Sequence, residues 1–363
     1  MRSWSVAPLA AAALAAIGGS GGAALAEQGV RISGPHVHAN LAVYFVHGAS
    51  AAGAVPLTLQ EALSKGQVQV VETGSVNELQ IENTGADAVF IQAGDIVKGG
   101  KQDRVLTVSF VLPPKSGRVP IASFCVEQGR WAARGKEDHA KFSSAGEAMP
   151  SRAALLAMAA PPPPAASAPP PAEGPRTAAV QQIARDRDEV SKKQREVWAS
   201  VAATQKKLSS GLNAPVASPQ SASSLQLSLE NEKLKEARAA YIAALQAAGE
   251  KEADIIGYAV AINGRVSTAN LYPSNGLFRK MWAKQLAAAV TEAIGERQAA
   301  APAAAPPAAP AVTEFLANAE KGKSYERPVA TGARQEVRDA DKALYNEARG
   351  ADGKWVHRSY LAK

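Results

Sequence analysis

Six polar side chains gather in one short stretch of the sequence, AGDIVKGGKQDR, which spans residues 93–104. They surround a Gly99-Gly100 pair and are Asp95, Lys98, Lys101, Gln102, Asp103 and Arg104. Glycine lets a ligand approach the backbone closely, and arginine offers a planar fork of donors to a phosphate or carboxylate. The stretch therefore predicts an anion site, although its glycine spacing matches neither a P-loop nor a dinucleotide-binding fingerprint.

A second polar segment, CVEQGRW (125–131), follows the next two strand-like runs. If the chain turns between Lys115 and Ser116, a hairpin places Leu106 opposite Cys125 and Arg104 opposite Glu127. Both polar segments then lie at one edge of the sheet. The predicted ligand-binding residues are Asp95, Lys101, Gln102, Arg104, Arg130 and Trp131.

Glu127 is the candidate general base of this region. With Asp95 or Asp103 it would form an acid/base pair or a metal site. The alternative is a structural network in which Arg104 pairs with Glu127 and Lys101 pairs with Asp95. A hard metal would need more carboxylates than the segments offer, so we predict no metal site and leave the cofactor unknown.

Cys125 is the single cysteine of the chain and the second candidate catalytic residue. A neighbouring Arg104 or Arg130 would lower the pKa of its thiol and make it a nucleophile. Its place in mid-strand, between Phe124 and Val126, favours instead a buried and inert thiol.

The spacing of the histidines gives no complete catalytic or metal-binding motif. His36 and His38 share one strand face, alternation places His47 on the other, and His357 stands alone on the last hairpin. We expect His36 and His38 on the surface, and neither a Ser-His-Asp arrangement nor a G-x-S-x-G motif occurs.

The elements that position these residues predict an α+β fold with an antiparallel, β-rich N-terminal layer. Strand-like runs occupy 37–46, 67–72, 78–83, 88–93, 105–112 and 121–127. Thr58 and Glu61 have capping-box spacing at the start of a short helix, and the short links between runs indicate a meander.

Helices and two β-hairpins follow this layer. Capping-box spacing at Ser191 and Gln194 predicts one helix start, and the heptad spacing of Leu227, Leu234 and Tyr241 predicts a helix over 223–249. Asn263-Gly264 and Asp352-Gly353 each separate two strand-like runs and predict a hairpin. Ser274 or Asn275 caps a helix whose buried stripe is Phe278, Met281, Trp282, Leu286 and Val290.

Composition divides the chain further. Residues 1–26 have the pattern of a cleaved signal peptide, with Arg2 before an apolar run too short to span a bilayer, so we expect a periplasmic or secreted protein that begins near Glu27. The Ala/Pro-rich segments 157–175 and 298–311 predict disordered linkers. The net charge of +7 is spread along the chain without interleaved aromatics, which argues against nucleic-acid binding.

The stretches GDIVKGGKQDR and CVEQGRW resemble the central motifs of the ADP-ribosylglycohydrolase- and rhodanese-phosphatase-associated protein domain, an uncharacterised bacterial family. GSVNELQIEN, SKKQREVW, IGYAVAINGRV and DGKWVHRSYL extend the resemblance over about residues 36–361. The motif positions are Gly94, Asp95, Gly100, Lys101, Gln102, Asp103, Arg104, Cys125, Glu127, Gly129, Arg130, Trp131, Gln194 and Trp198. Asp95 departs from the family's more frequent glutamate, and the insert before residue 175 is long. The resemblance implies one composite domain, 36–361, with at most a link to ADP-ribose or phosphate chemistry.

Three functions are compatible with these observations. The first is an exported binding or scaffold module with a site for a small anionic ligand. The second is a hydrolase or transferase acting on a phosphate- or ADP-ribose-like substrate, with Glu127 as base. The third is a structural envelope protein that acts through a protein partner. The environment of Glu127 distinguishes them, because a general base must be accessible in a cleft.

Overall fold

The computed structural model describes residues 29–132, 141–159, 175–297 and 304–363, although not the side chains of 175–186. The predicted signal peptide, 1–26, lies outside the described residues. So do most of the predicted 157–175 linker and the first part of the 298–311 linker. No helix of the described residues is long and apolar enough to cross a membrane.

Strands and helices both make up large parts of the described chain, and the α+β prediction is confirmed. The strands are β1 (Arg31–His38), β2 (Leu41–His47), β3 (Leu57–Thr58), β4 (Val68–Glu72), β5 (Glu78–Asn83), β6 (Val89–Ile91), β7 (Asp95–Gly99), β8 (Arg104–Leu106), β9 (Phe110–Leu112), β10 (Gly117–Cys125), β11 (Phe142–Ala148), β12 (Ile255–Ile262), β13 (Arg265–Leu271), β14 (Lys323–Pro328), β15 (Arg334–Asp339), β16 (Ala343–Arg349) and β17 (Trp355–Ala362). The helices are α1 (Leu59–Ser64), α2 (Arg152–Ala159), α3 (Pro175–Leu212), α4 (Leu225–Leu229), α5 (Glu232–Leu245), α6 (Asn275–Gly295) and α7 (Ala309–Ala319), with 3₁₀ turns at Gln246–Glu250 and Ala330–Gly332.

The described strands form three sheets. The largest has eight strands in the order β1-β2-β12-β13-β17-β16-β15-β14, so the N-terminal hairpin pairs with strands from the C-terminal half of the chain. A second sheet has the order β11-β7-β8-β10-β5-β4, and a third has the order β3-β6-β9. The pairings of the first two sheets are antiparallel, whereas β3 and β6 run parallel. The N-terminal third is therefore distributed over three sheets, and the predicted meander is wrong.

Both faces of the eight-stranded sheet are covered. Along β2, Val43 and Phe45 face a core shared with α3, α5 and α6, whereas Ala42, Tyr44 and Val46 pack toward α7. Strand side chains alternate between faces, so a run that is apolar on every residue must be buried on both. The Phe45 ring lies 5.3 Å from the Trp282 ring of α6, which confirms the predicted buried stripe of that helix.

Several local predictions are confirmed by hydrogen bonds. Thr58 and Glu61 form the reciprocal capping box of α1, and the Ser274 hydroxyl accepts from the Leu277 amide at the start of α6. Asn263-Gly264 joins β12 to β13, with both residues at positive φ as this turn requires. Ser191, by contrast, lies well inside α3, so the predicted helix start there is wrong.

The N-terminal layer differs from its prediction at three places. Residues 37–46 form parts of a hairpin rather than one strand, with Ala39 and Asn40 at the turn. The stretch 93–104 contains strand β7 and is not one loop. The predicted strand 105–112 is broken after Leu106, because β8 pairs with β7 and β10 whereas β9 pairs with β6.

The second part of the 298–311 segment is described by the structure. Residues 304–308 form neither helix nor strand, and α7 begins at Ala309. The Tyr44 hydroxyl donates to the Pro307 carbonyl, which attaches this segment to the eight-stranded sheet.

Candidate functional site

The two polar segments of the sequence lie side by side, as predicted. Residues 100–103 connect β7 to β8, and residues 126–131 follow the end of β10. The Val126 amide donates to the Asp103 carbonyl at 3.1 Å, and the Gln102 side chain donates to the Glu127 carbonyl at 3.1 Å. Backbone and side-chain bonds thus join the segments directly.

The register between β8 and β10 differs from the predicted one by two residues. Arg104 lies opposite Cys125, not opposite Glu127. The prediction counted back from the Lys115-Ser116 turn, but the intervening strand β9 leaves this sheet, so the count does not carry through. A shift of two residues keeps side chains on the same face, and the cluster still assembles.

Arg104 is completely buried at the centre of the cluster. Its guanidinium donates to the Gln102 carbonyl at 3.0 Å and to the Glu72 carboxylate at 3.5 Å. Glu72 also accepts from the Lys101 backbone amide at 3.2 Å. Sequence analysis did not identify Glu72. The end of β4 reaches this edge only through the order of the strands, which the sequence does not show.

Arg130 joins the two buried carboxylates of the cluster. Its Nε donates to Glu127 at 2.6 Å and its Nη2 to Asp103 at 3.3 Å. Asp103 also accepts from the Gly99 amide at 3.0 Å. We call the five residues Glu72, Asp103, Arg104, Glu127 and Arg130 the clamp, because together they tie β4, the β7–β8 connection and the end of β10.

Glu127 and Asp103 have no exposed surface. A general base must come within hydrogen-bond distance of the proton it removes, and a carboxylate enclosed in a clamp offers no such approach. The structure therefore favours the ion-pair network over the acid/base pair, with Arg130 rather than Arg104 as the close partner of Glu127.

Asp95 lies outside the clamp. Its carboxylate binds Lys284 of α6 at 2.6 Å and accepts from the Gln92 amide at 2.9 Å. The predicted ion pair between Lys101 and Asp95 is therefore wrong. Asp95 connects the β6–β7 turn to a helix, and this position explains its burial without a ligand.

Cys125 is buried, and its backbone is held by an unusual side-chain contact. The Gln194 amide of α3 accepts from the Cys125 N–H and donates to the Cys125 carbonyl, both at 2.9 Å. Burial raises the pKa of the thiol to about 11, even though the Arg104 charge acts in the opposite direction. The thiol is consequently protonated at neutral pH, as expected of an inert cysteine.

The open side of the cluster consists of Lys101 and Trp131. Trp131 is 44% exposed, and the Lys101 ammonium lies 5.0 Å from the centre of its ring. The Arg104 guanidinium lies 5.6 Å from the same ring. Unlike the clamp arginines, the Lys101 ammonium has no carboxylate within ion-pair distance in the described part of the chain. The Trp131 ring is thus in contact with two cations and remains partly exposed.

The histidines take different positions from those expected. His36 lies tilted against Phe45 and His38 lies edge-on to Tyr241, at ring distances of 5.3 and 4.6 Å, and both histidines are half-buried. Buried His47 lies 2.9 Å from Asp254, in a group with Glu252 whose ligand atoms are close enough to hold a metal ion.

Arg31 already neutralises the negative charge of the two carboxylates in that group. The Arg31 guanidinium lies 3.5 Å from both carboxylates, which accounts for them as ion pairs. The His47 hydrogen bond lowers the pKa of Asp254, as an ordinary salt bridge does.

His357 is not alone, as its sequence context suggested. It is fully buried, and its two ring nitrogens lie 3.0 Å from the Ser109 hydroxyl and 3.0 Å from the Asn270 amide oxygen. Burial lowers its pKa to about 3, so the imidazole is neutral. These partners are distant in sequence, and only the packing of the sheets brings them together.

One family model matches the sequence. It is the ARG and Rhodanese-Phosphatase-superfamily-associated Protein domain, and the match covers residues 29–160 and 165–361. Neither the curated proteins nor the solved structures contain a match.

Proposed function

We propose that this chain, which belongs to the ARG and Rhodanese-Phosphatase-superfamily-associated Protein domain family, is a binding module for a phosphate-bearing ligand. The proposed recognition surface is Lys101 with Trp131. Lys101 supports this most strongly, because it is a cation without a carboxylate partner among the described residues. The clamp holds the Lys101 backbone amide through Glu72, and its Arg104 guanidinium lies 5.6 Å from the centre of the Trp131 ring.

The pairing of an ammonium with an exposed indole favours a ligand that has both a phosphate and a flat ring. A lysine ammonium attracts phosphate as a point charge, and an aromatic ring stacks on a base for about 1–3 kcal/mol. The family's name associates its members with ARG and rhodanese-phosphatase proteins, which is compatible with phosphate chemistry. ADP and ADP-ribose contain both groups.

A binding module is better supported than a hydrolase or transferase. The candidate base, Glu127, is enclosed, and burial raises the pKa of the candidate nucleophile, Cys125, to about 11. A catalytic role for either residue would require the clamp to open. Binding at Lys101 and Trp131 requires no such change.

A thermal-shift titration of the full chain with inorganic phosphate, ADP and ADP-ribose tests this proposal. A ligand at one hundred times its dissociation constant should stabilise the fold by about 2.7 kcal/mol. Lys101→Gln and Trp131→Ala should reduce the shift. Lys323 and Tyr325 form a second cation–aromatic pair, at 5.5 Å on β14, and Lys323→Gln and Tyr325→Ala are the matched controls.

Either of two results would overturn the binding proposal. The first is that none of the three probes shifts the melting of the wild type. The second is that the two variants at the site behave like the two controls on β14.

We also propose that the chain is exported and cleaved between Ala26 and Glu27. The short charged start and the apolar run that follows it support this proposal. Mass spectrometry of the chain from a bacterial periplasmic fraction should give an N-terminus at Glu27. An intact Met1 in a cytoplasmic fraction would contradict it.

A further inference from the structure

A cavity of about 60 Å³ lies between the eight-stranded sheet and its covering elements. Its walls come from the turn 92–94, from α2, from α6 and from the sheet face that carries Tyr258 and His357. It lies away from the clamp and from Trp131, neither of which contributes to its lining. A space of this kind needs about 10–15 Å³ for one water molecule, so it accommodates on the order of four to six non-hydrogen atoms.

A chain of hydrogen bonds runs along one wall, and we call it the cavity chain. From Ser109 it passes to His357 and Asn270, with a distance of 3.0 Å at each step. The Asn270 amide then donates to the Tyr258 hydroxyl at 2.8 Å, which donates to Gln285 at 3.1 Å. Each uncharged side chain from Ser109 to Tyr258 thus has hydrogen-bond partners on the cavity chain, which ends at Gln285.

The order Ser109, His357, Asn270 is that of a nucleophile, a base and an orienting group. It does not act as one, because burial lowers the pKa of His357 to about 3, far below that of an effective base at neutral pH. The Ser109 hydroxyl also accepts from the Ala93 amide at 2.9 Å. The cavity chain therefore holds the hydrogen-bond donors and acceptors of this wall in fixed positions.

Gln285, at the end of the cavity chain, has a polar atom without a partner. Its side chain is about 95% buried, and its Nε2 has no hydrogen bond in the described structure. Turning the amide over would exchange its nitrogen and oxygen and leave the oxygen without a partner instead, since Tyr258 contacts only one of the two atoms. An unsatisfied buried amide is unfavourable by about 1–3 kcal/mol, and Gln285 is one of the residues that line the cavity, so a ligand with an acceptor atom there would satisfy its Nε2.

The lining contains few charged groups, and burial raises the pKa of the Glu292 carboxyl. Arg152 and Glu292 are its two ionisable residues of opposite sign, and the Arg152 backbone amide donates to Glu292 at 3.0 Å. The Arg152 guanidinium donates to the Ala362 carbonyl at 3.1 Å. Most of the other lining residues are uncharged, and burying an unpaired charge among them is strongly unfavourable.

We infer that the cavity binds a small uncharged molecule of the amide class, held by a hydrogen bond to the free amide atom of Gln285. Thr268 and Ser359 supply hydroxyls on the sheet side, and Met149, Met158 and Leu361 supply apolar surface. The ligand is about the size of acetamide. This site is separate from the proposed phosphate site and does not depend on it.

Saturation-transfer NMR with acetamide, applied to the full chain, tests the inference. We expect transfer from the wild-type protein and at least tenfold weaker binding to Gln285→Met. Gln226 is the matched control, since it is similarly buried, likewise has one unpartnered amide atom (its oxygen), and does not line the cavity. Gln226→Met should bind acetamide like the wild type.

A second variant covers the case in which Gln285→Met does not fold, as judged by circular dichroism. Ala289→Val narrows the cavity from α6 and should abolish the transfer while leaving the cavity chain unchanged. Absence of transfer to the wild type would mean that water fills the cavity, and would overturn the inference. Equal transfer to the wild type and to the folded site variants would overturn it as well.

Discussion

The clamp and the cavity chain are two buried polar networks, and they satisfy their hydrogen-bonding groups in different ways. In the clamp, each guanidinium has a carboxylate partner, as Arg104 has Glu72 and Arg130 has Glu127 and Asp103. The cavity chain is uncharged and ends in a free amide atom at Gln285.

The difference follows from what burial does to charged and neutral groups. A buried charge must be paired within the protein, so the guanidiniums and carboxylates of the clamp pair with one another and hold the backbone in place, although the Arg104 Nε itself has no hydrogen-bond partner among the described residues. A neutral network tolerates one unpaired atom, and that atom remains available to a ligand. We therefore propose that the clamp is a structural element and that the cavity is a binding site.

The largest effect should come from removing a clamp cation. Arg104→Ala leaves the Glu72 carboxylate, which is only 10% exposed, without its arginine, and we expect a loss of about 3–5 kcal/mol in the free energy of unfolding. Urea denaturation measures this loss. Arg118→Ala is the control, because its pair with Glu82 is exposed, and it should change stability by less than about 1 kcal/mol. Equal losses in both variants would show that the buried Arg104 pair stabilises the fold no more than the exposed Arg118 pair does.

The next effect concerns Gln194, which holds the strand beside the clamp. Gln194→Leu leaves the buried N–H and C=O of Cys125 without partners, so we expect a loss of about 2–4 kcal/mol. Gln205 lies on the same helix and donates to loop carbonyls at a more exposed place. Gln205→Leu should be the milder change in the same denaturation experiment, and a reversed order would count against the role of Gln194.

The cavity chain should make stability depend on pH. Burial lowers the pKa of folded His357 to about 3, whereas an unfolded histidine has a pKa of about 6.5. Between these values only the unfolded chain binds the proton, so the stabilisation is complete above pH 6.5 and is lost as the pH falls.

The wild type should therefore lose up to about 1.4 kcal/mol per pH unit more than His357→Gln as the pH is lowered from 6.5 to 4.5. Urea titrations of both proteins across this range measure the difference, and the titration of other groups is common to both. Parallel stability curves would mean that His357 protonates as easily in the folded chain as in the unfolded one.

The smallest effect on stability belongs to Lys101, if its role is binding. Lys101→Gln removes a partly exposed charge without a carboxylate partner, so the free energy of unfolding should change by less than about 0.5 kcal/mol. A loss comparable to that of Arg104→Ala in urea would place Lys101 in the clamp and leave no cation for the ligand.

Helix caps and turns could be predicted from the sequence, because neighbouring residues determine them. Thr58 with Glu61, Ser274, and Asn263-Gly264 each act within a few residues, and all three were predicted correctly. The meeting of the two polar segments was also predicted, because strand connections are short and a register error of two residues preserves the face.

The rest depended on contacts between distant parts of the chain. Glu72 reaches Arg104 only through the order of strands in the six-stranded sheet, and Asp95 finds Lys284 across 189 positions. Ser109 and His357 are 248 positions apart. No local pattern predicts such pairs, so both the true partners in the clamp and the whole cavity chain appear only in the fold.

The most direct test of the proposed function is calorimetric titration of ADP-ribose into the wild type, Lys101→Gln and the control Lys323→Gln. The proposal predicts binding to the wild type and the control, and an affinity at least tenfold weaker, about 1.4 kcal/mol, for Lys101→Gln. Equal affinity in all three proteins, or no heat of binding in the wild type, would contradict the assignment of this surface to a phosphate-bearing ligand.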